Sequence, residues 1–461
     1  MSAPLRPAAA PGPATAARLQ LDTSSRTIWA IASPVVLAGL SEHIVEITDT
    51  ALLARFGTIE LAAIGMAAAI YEVVVFFTFG LADSIQIVAA RRAGQGREQA
   101  IGDAFFHGAS LLAALSLALF LILAFASPVV TRAILRTDSV RWAVDDFLRI
   151  IAFAVLFHCL NMAYGALYVG IGRTRPLIAA TVVLAVTNVG LDYLLIFGHL
   201  GLPRLGIKGA AAGSLIAEIA AFGVLTWSAL RRGDARRFGL FRPRRLDPSL
   251  AKAMLTIGWP AALQRLVEAV RWFLFFLIIE HIGASALAIA NIVHGVYALF
   301  LLPLDALAET VCTMASNLIG QERSSRIGGL LRSTMAWATL AIVPFVVLAL
   351  AWPEIPLSLF TTDPELLSGA AGSLRVASLA LLIVIPGALV LGAVEGTGDT
   401  RTALVIELVL SVGVLLSAYA AAIVLHLPLA GIWASEIVGW LVCLLMAYGW
   451  LRSGRWRRVS I

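Results

Sequence analysis

The sequence predicts an all-α polytopic membrane protein, with twelve transmembrane helices in two six-helix bundles related by an internal repeat. Three observations predict it. Of the 461 residues, 60% are hydrophobic and 13% charged, which leaves too little polar surface to cover a soluble globule of that size. Apolar stretches long enough to cross about 30 Å of hydrocarbon recur along the chain. Landmarks of the first half return in the second at one fixed distance.

In chain order, residues 1–26 are rich in Ala and Pro and hold no apolar core preceded by charge, so they read as a disordered tail and not as a cleaved signal peptide. Six spans follow at roughly 27–52, 60–90, 101–128, 146–170, 177–198 and 207–230, forming an N-terminal lobe of residues 27–230. A basic linker occupies 231–250. Six more spans, roughly 254–279, 286–319, 332–352, 371–395, 403–425 and 430–451, make a C-terminal lobe of residues 251–452, and a basic tail closes the chain at 453–461. Cys159, Cys312 and Cys443 lie scattered in apolar segments, which supports neither a disulfide framework nor a zinc site.

Orientation follows from the basic residues. With both termini in the cytoplasm, 24 of the 34 Lys and Arg residues fall in inner connections and tails, and only Arg265 and Arg271 lie inside a span. The positive-inside rule selects that orientation. It also explains the net charge of +6 without a nucleic-acid partner. The expected location is the cell (inner) membrane, multi-pass, as a monomer in the lipid bilayer.

The repeat has a constant offset. Pro34 matches Pro260, Glu42 matches Glu268, Gly94-Gln95 matches Gly320-Gln321, and Gly170-x-Gly172-x-Thr174-Arg175 matches Gly396-x-Gly398-x-Thr400-Arg401, each pair 226 residues apart. An even number of spans per unit gives both halves the same orientation, with an axis along the membrane normal and a cavity between them.

Within this frame the stretch from Pro34 to Asp49, PVVLAGLSEHIVEITD, places Glu42, Glu46 and Asp49 at i, i+4 and i+7 of an apolar helix, within roughly 60° of one another. A carboxylate in hydrocarbon costs at least about 2.5 kcal/mol. The face must therefore meet water, a cation or a partner. Asn188 and Asp192 stand one turn apart in the fifth span, as a hard cation or a proton relay needs, and Ser214 offers a hydroxyl early in the sixth. A buried network that only ties helices together is the alternative.

The segment from Leu160 to Ser214, LNMAYGALYVGIGRTRPLIAATVVLAVTNVGLDYLLIFGHLGLPRLGIKGAAAGS, resembles the fourth to sixth helices of the multidrug and toxic compound extrusion (MATE) transporters. The opening PVVLAGLSEHIVEITDTALLARFGTIELAAIGMA and the later GTGDTR fit the same family, and the likeness runs from about residue 27 to 450. The resemblance implies a secondary transporter that expels organic, usually cationic, compounds in exchange for inward Na⁺ or H⁺. It also implies that Asp49, Asn188, Asp192 and Ser214 form the cation or proton site of the N-terminal lobe, with a possible Na⁺ at the first three. Glu268 matches a carboxylate of the NorM type, but Arg265 and Arg271 flank it at i±3, so a neutralised salt-bridge cluster competes with a coupling role. The tenth-helix Asp of that branch falls on Val384, which leaves any second cation site incomplete; the resemblance is to the DinF-like branch more than to the NorM-like one.

Glu42, Glu46, Glu268, Arg265 and Arg271 are thus secondary candidates. Glu72, Asp83, Glu218, Asp305, Glu309, Glu395, Glu407 and Glu436 line the pathway or cap helix ends, and His158 reads as a satisfied polar residue. Tyr164, Trp272, Phe273, Tyr297 and Phe300 either stack on flat cations or simply pack. No HExxH, GxSxG or phosphate-binding loop points to an enzyme. A flippase for lipid-linked precursors or polysaccharide is the competing transport function; it would need a strongly cationic cavity. No cofactor is expected beyond the coupling ion, H⁺ or Na⁺, and the partners expected are small organic substrates.

Overall fold

The computed structural model describes residues 19–459, and every regular element among them is helical. The first half contains α1 (Ser25–Phe56), α2 (Thr58–Gly94), α3 (Glu98–Leu121), α4 (Asp138–Gly170), α5 (Arg175–Phe197) and α6 (Ile207–Arg231). The second contains α7 (Pro248–Glu280), α8 (Ala284–Gly320), α9 (Ile327–Ala351), α10 (Pro364–Gly396), α11 (Thr400–Tyr419) and α12 (Ser435–Ser453). Eleven of these, counted with their helical extensions, are long and apolar enough to span a bilayer. The exception is α7, where Lys252, Arg265, Glu268 and Arg271 interrupt the apolar run; it nevertheless packs along α2 and α11. Charges in such a helix must face protein or water.

Local chemistry sets the boundaries. Ser24 Oγ accepts from Thr27 N at 3.3 Å to cap α1, Asp247 accepts from Ser249 N at 2.8 Å to cap α7, and Asp363 accepts from Glu365 N at 2.9 Å to cap α10. Each satisfies an orphan amide of a first turn. Pro34 and Pro260 both lie inside their helices rather than starting them.

The duplication is visible in the backbone. Gly172 (φ 66°) matches Gly398 (φ 86°), Gly96 (φ 69°) matches Glu322 (φ 60°), and Leu200 (φ 57°) matches His426 (φ 50°), every pair at the same offset. Two residue types that pay for left-handed backbone, Glu and Leu, adopt it because the repeated turn demands it.

Each half has its own hydrophobic core, and the two exchange helix ends. Ile28, Ile31 and Ala32 of α1 join the core of the second half, while Met254 and Ile257 of α7 join the core of the first. Ile28 and Met254, and Ile31 and Ile257, are repeat mates, so the exchange is reciprocal. Thr174 Oγ1 donates to Ala30 O at 2.5 Å and Thr400 Oγ1 to Ile257 O at 2.8 Å, fastening each crossing.

The halves meet along α2 and α8 near the arginine-rich ends. Gly94 abuts the Asn317 carbonyl and Gly320 abuts that of Arg91, an arrangement that only a residue without Cβ allows. Arg91 Nε donates to Ser316 O at 3.1 Å and its Nη2 to Thr397 O at 3.0 Å. Gln86 Nε2 donates to Thr313 Oγ1 at 2.9 Å.

Three segments expected as tails or linker differ in part. Residues 1–18 of the expected tail lie outside the described residues, but from Leu19 the chain is packed: Leu19 is fully buried, Leu21 N donates to Asn317 Oδ1 at 3.0 Å and Gln321 Nε2 to Leu21 O at 3.0 Å. The segment at 231–250 folds against the first half through a short helix, Asp234–Phe238, with Phe238 and Leu240 buried. Arg237 bonds Glu98 at 2.5 Å, Arg244 bonds Asp103, and Arg173 bonds Asp234 at 2.6 Å. In the basic tail, a turn at Arg455–Arg458 buries Trp456; residues 460–461 lie outside the described residues.

Candidate functional site

Helices α1 and α5 pack along each other, and α5 packs against α6. This brings Asp49, Asn188, Asp192 and Ser214 together. Asn188 and Asp192 are almost wholly inaccessible, and the Asp49 and Asp192 carboxyl groups interact directly. Asn188 Nδ2 donates to Ser214 Oγ at 3.0 Å. Ser214 thus orients the amide, which leaves Asn188 Oδ1 without a donor. Asp49 Oδ1 and both Asp192 oxygens are likewise buried without a hydrogen-bond partner. Two ionised carboxylates cannot donate to each other, and the four oxygens are of the kind that can take up a shared proton or a hard cation. Room for the Asp192 carboxylate comes from Gly213, where any Cβ would collide with Asp192 Oδ1.

The other carboxylates of α1 lead elsewhere. Glu46 keeps 73% of its side-chain surface open and faces His43 at 3.8 Å. Glu42 lies beside a network on α4 and α6 that sequence reasoning did not assemble. In it, His158 Nδ1 bonds Glu218 Oε1 at 3.0 Å, and Asn161 Nδ2 donates to Glu218 Oε2 at 2.6 Å. The signal available was His158 and Asn161 at i, i+3 on one helix face. His158 is satisfied at Nδ1, as expected, but its Nε2 is buried without a partner.

Between the halves, Arg265 stands among Asp83, Glu268, Glu395 and Asp305, and Glu309 faces Asp83 and Glu42. Arg265 and Asp305 remain exposed although both lie mid-helix. Gln264 Nε2 donates to Glu395 Oε1 at 2.7 Å. Asp83 and Glu309 are separated by the repeat offset, a pairing legible in the sequence. In this cluster carboxyl groups outnumber the single guanidinium.

Of the two readings of Glu268, a neutralised cluster or a coupling role, the first has no direct ion pair behind it among the described residues. Arg271 donates instead to Glu436 Oε1 at 2.8 Å, Trp440 Nε1 donates to the other carboxylate oxygen at 3.1 Å, and the Arg271 guanidinium lies 4.8 Å from the Trp272 ring. Among the described residues Glu268 has no ion pair within 4.0 Å. Both arginines act on it only at longer range. Glu407, capped by Ser411 Oγ at 3.3 Å, sits beside Arg271. Val384 is buried in the core of the second half, where no acid takes its place. Tyr297, Phe300 and Tyr164 are core residues, whereas Phe273 is exposed.

The family model MatE matches residues 34–194 and again 260–420, so each bound of the second match exceeds the first by the repeat offset of 226. The chain belongs to the MatE family. Curated relatives of this MatE chain include a probable multidrug resistance protein NorM of Thermotoga maritima, 22% identical over 94% of this chain and 93% of the relative. Others are a probable multidrug resistance protein YoeA of Bacillus subtilis, 24% identical over 95% and 96%, and a multidrug resistance protein NorM of Burkholderia vietnamiensis, 26% identical over 85% and 84%. The MatE fold is also that of solved structures. One is described as an outward-facing multidrug resistance MATE family transporter (TM-score 0.86, 17% identity, covering 97% of this chain and 99% of that one). Another is described as a MATE in the bent conformation (TM-score 0.87, 16% identity, 95% and 97%). Both matches to the MatE model begin on the buried prolines, Pro34 and Pro260, which places α1 and α7 as the corresponding first helices of the two lobes.

Proposed function

We propose that this chain is a secondary antiporter that exports organic cations in exchange for inward H⁺ or Na⁺ by alternating access. The observation that carries the reading is the set of four unpartnered buried oxygens from Asp49, Asn188 and Asp192. Loading that set with a proton or Na⁺ removes the repulsion between the two carboxylates and favours a different packing of α1 against α5. The relatives carry the names of multidrug resistance proteins, which supports export as transport without a chemical step on the substrate. The carboxyl-rich cluster around Arg265 supports a cationic substrate and disfavours the flippase reading, whose anionic substrates need the opposite sign.

The same reading puts the protein in the inner membrane as a monomer with both termini in the cytoplasm, because the arginines gather at one set of helix ends. It places coupling in the N-terminal lobe and, through Val384, nearer the DinF-like branch. The deciding experiment is efflux of a fluorescent cation from vesicles, with Na⁺ and pH gradients imposed separately. Efflux that neither gradient drives overturns the proposal.

A further inference from the structure

At the arginine-rich ends of α1, α5 and α6 two adjoining clefts of about 500 and about 410 Å³ share Arg175 and Arg232 as walls. The first also includes Arg173 and Pro34, the second Arg231 and Trp227. Arg173 is spent on Asp234 at 2.6 Å. Among the described residues, Arg175, Arg231 and Arg232 have no carboxylate within 4.0 Å, and all three are exposed. Arg231 lies 4.9 Å from the ring of Trp227, which is itself 56% exposed, as an aromatic anchored at a membrane interface is. Three guanidiniums around a shared hollow repel one another unless an anion sits between them. Guanidinium forks match phosphate oxygens.

A lipid is distinguished from a soluble phosphate by what adjoins the charge. Ile178 lines the first cleft, and Ile178, Val182 and Val186 form an exposed apolar stripe at i, i+4 and i+8 running away from it along α5. We infer that this double cleft binds the phosphate headgroup of an anionic phospholipid, with its acyl chains along that stripe. Basic pockets between helix ends on the basic side of a membrane protein suit such headgroups. The site is separate from the coupling oxygens and stands whether or not the antiport reading does. It touches α1 at Pro34, and Thr174 in its wall holds Ala30 of α1, so lipid occupancy braces the first helix.

The repeat supplies the control. Arg401, Arg457 and Arg458 occupy the positions of Arg175, Arg231 and Arg232, but Asp399 stands in place of Arg173. The full chain, purified in detergent, is offered phosphatidylglycerol or phosphatidylcholine, and bound lipid is counted by native mass spectrometry. Wild type is expected to prefer phosphatidylglycerol by about tenfold or more, R175Q/R232Q to lose that preference, and R401Q/R458Q to keep it. If the double variant does not yield folded protein, R175Q and R232Q singly carry the test, each expected to lose part of the preference. Retention of phosphatidylglycerol by the variants at the wild-type level overturns the site, as does equal loss in R401Q/R458Q. Displacement of the lipid by inorganic phosphate alone overturns the lipid assignment in favour of a soluble phosphate ligand.

Discussion

Arg271 of α7 and Glu436 of α12 form an ion pair 2.8 Å long in which both side chains are no more than 2% exposed. A buried pair is expensive to make and more expensive to break, because removing one partner strands the other charge. Glu436→Gln is therefore expected to destabilise the protein by about 3–5 kcal/mol, with the double variant R271Q/E436Q recovering much of the loss. Thermal unfolding of the purified variants in a double-mutant cycle measures it, and equal loss in the single and double variants contradicts it.

The proposal of coupling in the first lobe predicts a contrast between acids. Asp49→Asn and Asp192→Asn are each expected to abolish gradient-driven efflux at near-normal expression, while Glu268→Gln has a smaller effect. Efflux in vesicles of matched protein content reads this. A dead Glu268→Gln beside an active Asp49→Asn would move the coupling site to the other lobe.

Gly213 gives a way to disturb Asp192 without altering its charge. A methyl group there occupies the space of the carboxylate, so Gly213→Ala is expected to express and yet lose efflux. Normal transport by Gly213→Ala would mean that the position of Asp192 is not critical.

The mutual approach of Gly94 and Gly320 to the partner backbone holds the arginine-rich ends of the lobes shut. Gly94→Ala and Gly320→Ala are each expected to cost this closed packing about 1–3 kcal/mol and to shift the population toward separated ends. Reaction of a cysteine at Thr313, fully buried between α2 and α8, with maleimide should then speed up in both variants alike. An effect from one glycine only would show that the two lobes do not share the load.

How much of this was legible in the sequence depends on range. Pro34 and Pro260, or Asp49 and the Asn188–Asp192 turn, are readable because periodicity and a constant offset are local or repeated signals. The Arg271–Glu436 pair spans 165 residues, and nothing in the spacing of α7 distinguishes Glu436 from the nearer Glu268 as its partner. Leu19 to Leu21 sit next to an Ala- and Pro-rich stretch, so composition marks them as tail; their order comes from Asn317 and Gln321, almost 300 residues away. Gly213 reads as ordinary helix packing until the carboxylate beside it is seen.

The left-handed turns carry a consequence for engineering the chain. Where the first half has Gly96, the second has Glu322 in the same conformation at φ 60°, and a side chain with a Cβ pays about 1 kcal/mol to stay there. One copy of a duplicated gene segment thus serves as a consensus for mending the other. Glu322→Gly should raise thermal tolerance at a position outside α1, α5 and α6, a route to a sturdier protein that needs no homologue but the chain itself.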